Sequence, residues 1–172
     1  MDSIFSSELS HIKHDHRGHY IKYLENAAYA LEYNLSHLLP EGSTVCVLYP
    51  KSILTKILPS IAKEKKLRVI LVGSNAQLIG ALIHANLLAP NGEPDVFIGE
   101  PAGFSTHGVF VLPEESEVWR NNQVIAVGTA LQFSAHRPAK FDMVSAFKVI
   151  SELGVLPYEL FSEKAPKIAN LS

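Results

Sequence analysis

Short apolar runs rich in β-branched residues, each followed by a helical stripe, recur along the chain and restrict its fold more than any other feature. The runs are Thr44 to Tyr49 (TVCVLY), Arg68 to Val72 (RVILV), Asp95 to Ile98 (DVFI) and Gln123 to Val127 (QVIAV). Each is continuous rather than alternating, as expected of strands buried on both faces. Between them lie stripes with steps of three and four. Ile21, Leu24, Ala28, Leu31, Leu35 and Leu38 form the first, ended by Pro40 and Gly42. Ser52 opens a second with Ile53, Leu54, Ile57, Leu58 and Ile61, in which Pro59 implies a kink or break. Asn75 opens a third with Leu78, Ile79, Leu82, Ile83 and Leu87.

Strand and helix in alternation imply crossover connections and a parallel sheet. The expected fold class is therefore α/β: a Rossmann-like, mostly parallel sheet with helices on both faces. The strands near Val45, Val69, Val96 and Val124 are expected at its centre. Val109 to Leu112 reads as a further strand, Phe141 to Leu153 as a helix with Met143, Ala146, Phe147 and Ile150 inward, and Val155 to Phe161 as a last strand. This divides the chain into a polar, His-rich segment over 1–20, one α/β domain over 21–161 and a polar tail over 162–172.

Composition narrows the function classes. The chain has 172 residues, 47% hydrophobic and 19% charged, an ordinary globular balance. A net charge of -2 provides no basic field for nucleic acid. No apolar run approaches the roughly 20 residues of a membrane span, and Met1 to Ser10 lacks a signal-peptide core, so a cytoplasmic protein is expected. The single cysteine, Cys46, excludes an internal disulfide. It sits mid-strand between Val45 and Val47, where a thiol is buried and inert.

In parallel sheets ligands sit beyond the carboxyl ends of the strands. The richest such segment is Gly128 to Lys140 (GTALQFSAHRPAK). Gly128 and Thr129 let backbone approach a ligand, and His136, Arg137 and Lys140 can hold phosphate. The plainer reading is a solvated loop whose cations face water. Gly73, Ser74 and Asn75 also follow a strand and start a helix, where free N–H groups suit an anion. A phosphate is expected between these two segments. His11, His14, His16 and His19 crowd into nine residues with Asp15 among them, yet no metal-ligand spacing such as HExxH is present, and a surface stretch is expected rather than a metal site. Trp119, beside charged residues, either anchors a partner or covers a sheet edge.

From Gly42 to Phe161 the chain resembles the Rossmann-like half of the family of initiation factor 2B regulatory subunits and methylthioribose-1-phosphate isomerases. The segment EGSTVCVLYPKSILTKIL is similar to its opening strand and helix. LRVILVGSNAQLIGALIHANLL is similar to its second strand and serine-containing turn, with Ser74 and Gly80. QVIAVGTALQFSAHRPAKFDMVSAFKVISELGVLPYEL is similar to its Val-Gly strand end, basic loop, helix and final strand. Lys140 falls near the family's phosphate-loop lysine. The isomerases carry a catalytic cysteine where this chain has Tyr49 or Pro50, and an aspartate where it has Ala130. Gly73 and Asn75 replace an acidic–arginine pair.

The resemblance implies a retained scaffold and anion cradle without the isomerase machinery. It also implies a homodimer, because domains of that family pair through this half. The expected function is a non-catalytic regulatory or ligand-binding domain that recognises a phosphorylated small molecule, a sugar phosphate or nucleotide, with no cofactor. The alternative is an isomerase or transferase acting on a phosphorylated or acyl substrate, with His107, Glu100 and His136 as its acid–base groups.

Overall fold

The computed structural model describes residues 17–135 and 139–169. Helix α1 (Arg17–Leu38) leads into strand β1 (Thr44–Leu48), helix α2 (Ser52–Lys65), strand β2 (Arg68–Val72) and helix α3 (Ala76–His84). Strands β3 (Val96–Gly99), β4 (Gly103–Phe104) and β5 (Val109–Val111) follow, then helix α4 (Ser116–Asn121) and strand β6 (Val124–Val127). The chain ends with β7 (Asp142–Val144), β8 (Lys148–Ser151), β9 (Gly154–Pro157) and helix α5 (Tyr158–Ala169).

Six strands form the main sheet in the order β2-β1-β3-β6-β8-β9. Its first five strands are parallel and β9 returns antiparallel to β8. The continuous apolar runs now have a physical reason, because alternate residues feed two separate cores. Val45, Val47, Ile125 and Val127 face Leu24, Leu31 and Leu35 of α1 together with α2 and α3. Cys46, Leu48, Val124 and Ala126 face the other way. That second face is covered by a small antiparallel sheet, β4-β5-β7, with Trp119 of α4 and Phe161 and Ala165 of α5. At one contact the layers meet with no room to spare: a Cβ on Gly99 would lie 2.5 Å from the Trp119 ring.

Several expectations need correcting. Residues 141–153 form two strands in different sheets rather than a helix. Met143, Ala146, Phe147 and Ile150 have helical spacing only because a tight connection adds to two strand periods. Val109 to Val111 lies in the small sheet rather than the main one. The strand at Val69 is the sheet edge, not its centre. The last strand stops at Pro157, and residues 158–169 form α5, burying Phe161 where a strand end was expected and Ala165 where a polar tail was. Helix α2 runs unbroken through Pro59.

The two edges are finished differently. Val69 of β2 pairs outward with the loop after α3: its N–H donates to Leu87 O and its carbonyl accepts from Ala89 N. On the other side β9 spans only Gly154 to Pro157.

Candidate functional site at the carboxyl edge of the sheet

The chain leaves β1 toward β2 on one side and reaches β3 on the other, so strand order reverses between β1 and β3. This is where open α/β sheets hold ligands. Tyr49, directly after β1, has φ 48, a left-handed conformation costly for a residue with a side chain. The turn at Gly73 (φ 105) lies against the Tyr49 ring, and a Cβ there would stand 2.9 Å from Cδ1. Gly73 is thus required by both its backbone conformation and its neighbour.

Glu100 follows β3 and occupies the crevice itself. It is 2% exposed. Its carboxylate accepts N–H bonds from Lys51 (3.0 Å), Ile53 (3.1 Å) and Leu54 (2.8 Å), the opening turn of α2. A helix amino terminus attracts negative charge, and here the chain supplies that charge from 46 residues or more away. Burial pushes the Glu100 carboxyl above the usual range, against the pull of the Leu54, Lys51 and Ile53 N–H groups and the Lys51 charge. The Lys51 ammonium donates to the backbone oxygens of Glu100 (2.7 Å) and Tyr49 (3.2 Å) and reaches the buried Glu115 carboxylate at 3.4 Å. This clasp fixes the crevice and joins it to the small-sheet layer.

Asn75 caps α3. Its Oδ1 accepts from Leu78 N (3.0 Å), while Nδ2 donates to Thr55 Oγ1 (2.8 Å) and Pro50 O (3.2 Å). Asn75 therefore spends its hydrogen bonds on holding α3 to the start of α2. Gly73 and Ser74 are exposed beside it.

Gly128 and Thr129 stand at the end of β6, separated from β2 by β1 and β3, so about 14 Å of sheet lies between the two expected segments. Gly128 and Thr129 therefore do not sit beside the Gly73–Asn75 turn. A Cβ on Gly128 would lie 2.6 Å from the Phe104 ring and 2.7 Å from Gln132 Oε1. Thr129 is 1% exposed, and its N–H donates to Gln132 Oε1 at 2.8 Å. Its hydroxyl is buried, with no hydrogen-bond partner among the described residues. The extended backbone at Thr129 turns that side chain away from Phe104, toward the face covered by α1.

Near that strand end Glu152 accepts from Ala130 N (2.8 Å) and from the Tyr23 hydroxyl of α1 (3.0 Å). Burial raises the Glu152 carboxyl, opposed by those two donors, and burial with the Glu152 charge raises the Tyr23 phenol. Lys140 is exposed, its ammonium 5.1 Å above the Phe141 ring. His136 and Arg137 lie outside the described residues, as do His11, His14 and His16; His19 falls in the first turn of α1. His107 is exposed on the Ser105–Gly108 turn.

Sequence reading placed Glu100 only among possible acid–base groups, and missed Tyr23 and Glu152. An acidic residue ending a buried strand was the available signal for Glu100. Its contacts lie too far along the chain to be inferred. Among the described residues no group of three His, Cys, Asp or Glu side chains gathers to hold a metal, and no helix is long and apolar enough to cross a membrane. Cys46 is 4% exposed, and burial pushes its thiol up.

These features define a Rossmann-like α/β domain with its candidate site at the carboxyl edge. Its fold is that of initiation factor 2B subunits. The chain superposes on eIF2B beta from Chaetomium thermophilum with a TM-score of 0.70 and 17% identity, over 90% of this chain and 60% of that one. It matches the tetrameric eIF2B-beta2-delta2 complex from C. thermophilum at 0.67 and 14%, over 88% and 64%. It matches the Pyrococcus horikoshii OT3 translation initiation factor eIF-2B at 0.64 and 14%, over 83% and 68%. The chain thus spans about 60% of the length of the eIF2B beta structure. No protein-family model and no curated protein sequence matches it.

Proposed function

We propose that the chain is a non-catalytic regulatory domain that binds a phosphorylated small molecule beyond the carboxyl end of β6 and acts as a cytoplasmic homodimer. The observation that carries this reading is Thr129: a fully buried hydroxyl without a partner among the described residues, at a strand end where Gly128 admits no side chain. A buried polar group left unpaired is costly, so such a group is commonly completed by water or a ligand. The loop that follows bears His136, Arg137 and Lys140, whose charge-assisted bonds suit phosphate. The likeness in fold to initiation factor subunits supports a regulatory role. Glu100 supports it too, since a carboxylate engaged by three N–H groups serves as a fixed anion. The raised carboxyl of Glu100 is the one observation favouring an enzyme, with Glu100 as its acid–base group.

The separation of the Gly73–Asn75 turn from this loop divides the ligand candidates. A sugar phosphate reaches one segment, and a nucleotide is long enough to approach both. Thermal melting with inorganic phosphate, glucose 6-phosphate and AMP tests the reading, because a ligand that prefers the folded state raises the melting temperature. The Arg137→Ala, Lys140→Ala double variant is expected to bind about tenfold or more weakly. Unchanged affinity in that variant would refute the phosphate site. Light scattering at the mass of one chain across micromolar concentrations would refute the dimer.

A further inference from the structure

The opposite edge of the sheet carries a second concavity. It is an open cleft of about 400 Å³, within the range of small-molecule sites. It opens at the amino ends of β6 and β8, so it shares no residue with the carboxyl edge. Trp119, Val124 and Ala146 provide apolar wall, with Phe147 and the polar Arg120 and Gln123 beside them. Trp119 and Val124 belong to the core and are held by it.

Two features point to a ligand class. The first is charge: among the described residues of the lining, Arg120 is the one ionisable side chain. One guanidinium nitrogen of Arg120 donates to Ser116 Oγ at 3.2 Å, which orients the group and leaves its other donors available. The second is Phe147. It is 47% exposed, and its backbone N–H donates to Val124 O at 2.9 Å, which fixes the point from which the ring leaves the chain. The Lys148 ammonium lies 5.1 Å from its ring centroid. An exposed aromatic ring at the wall and an oriented cation beside it, over a floor closed by the 2%-exposed Trp119, form a recognition set for a flat apolar group ending in a negative charge.

We propose that this cleft is a binding site for a small aromatic carboxylate, its ring packed against Phe147 and Ala146 above the buried Trp119 and its carboxylate on Arg120. The site is independent of the phosphate reading above. Trp119 is the only tryptophan of the chain, so its emission reports occupancy directly. The test titrates 3-phenylpropionate into the full chain and follows Trp119 fluorescence, with 3-phenylpropanamide as the uncharged comparison. The acid is expected to give a saturable change and to bind roughly tenfold more tightly than the amide. Arg120→Gln is expected to remove that preference while leaving the ligand-free melting temperature near its original value. Ala146→Leu, which fills the cleft, is expected to weaken both ligands. Acid and amide binding equally to the unaltered protein, or no saturable change with either, would overturn the proposal. So would a preference for the acid that survives Arg120→Gln.

Discussion

Two positions on the same sheet edge treat negative charge in opposite ways. At the start of α2, Glu100 fills the anion site that a helix amino terminus provides, and Lys51 and Glu115 lock it in place. At the end of β6, a buried hydroxyl has no partner and the following loop carries cations. The contrast teaches that strand-end position alone does not select a ligand site. What matters is whether the chain has already used the available donors.

The comparison can be broken most severely at Glu100. Glu100→Ala leaves the N–H groups of Lys51, Ile53 and Leu54 without their anion, and is expected to cost about 3 kcal/mol, measured by urea denaturation. A loss under about 1 kcal/mol would mean that water replaces the carboxylate freely. At the open end, Gly128→Ala drives a methyl into Phe104 and Gln132, with an expected cost of about 2 kcal/mol in the same experiment. If that variant kept full stability, the strand end would be looser than described. Asn75→Ala removes a cap and the tie to Thr55, for an expected loss of about 1 kcal/mol. An unaltered midpoint would show the tie to be idle.

The smallest effect is on pH dependence. Glu152 has a folded carboxyl raised above its ordinary 4.5, so the folded state holds its proton longer. The stability linked to that proton is fully present below about pH 4.5 and is lost as pH rises through the higher folded value. Glu152→Gln is expected to flatten part of that decline in denaturation midpoints taken across the acidic range. Identical slopes in both proteins would remove Glu152 from the account.

Much of the main sheet was legible because burial on both faces leaves an unmixed apolar run, as in Val45 to Leu48 and Val124 to Val127. Asn75 was legible as a helix opener, since its cap bond spans three residues. Cys46 was legible for the same reason as its strand. Of the small sheet only β5 was legible, as the apolar run from Val109; β4 and β7 have two and three residues, too few to show a period. Helix α5 was hidden by Pro157 before it and Pro166 within it. The Glu100 clasp and the Tyr23–Glu152 bond depend on partners 46 to 129 residues apart, which only the completed fold brings together.

The finishing of the two sheet edges bears on how copies of this chain behave when crowded. An uncovered strand invites a stranger to add the next rung, and growth of that kind ends in fibres. Here one border is occupied by Leu87 to Ala89, and the other is a four-residue strand closed by a proline that has no N–H to offer. Along these two borders of the main sheet a long added ladder is disfavoured, so contacts made there between copies would rest on side-chain surfaces, which can be specific and self-limiting.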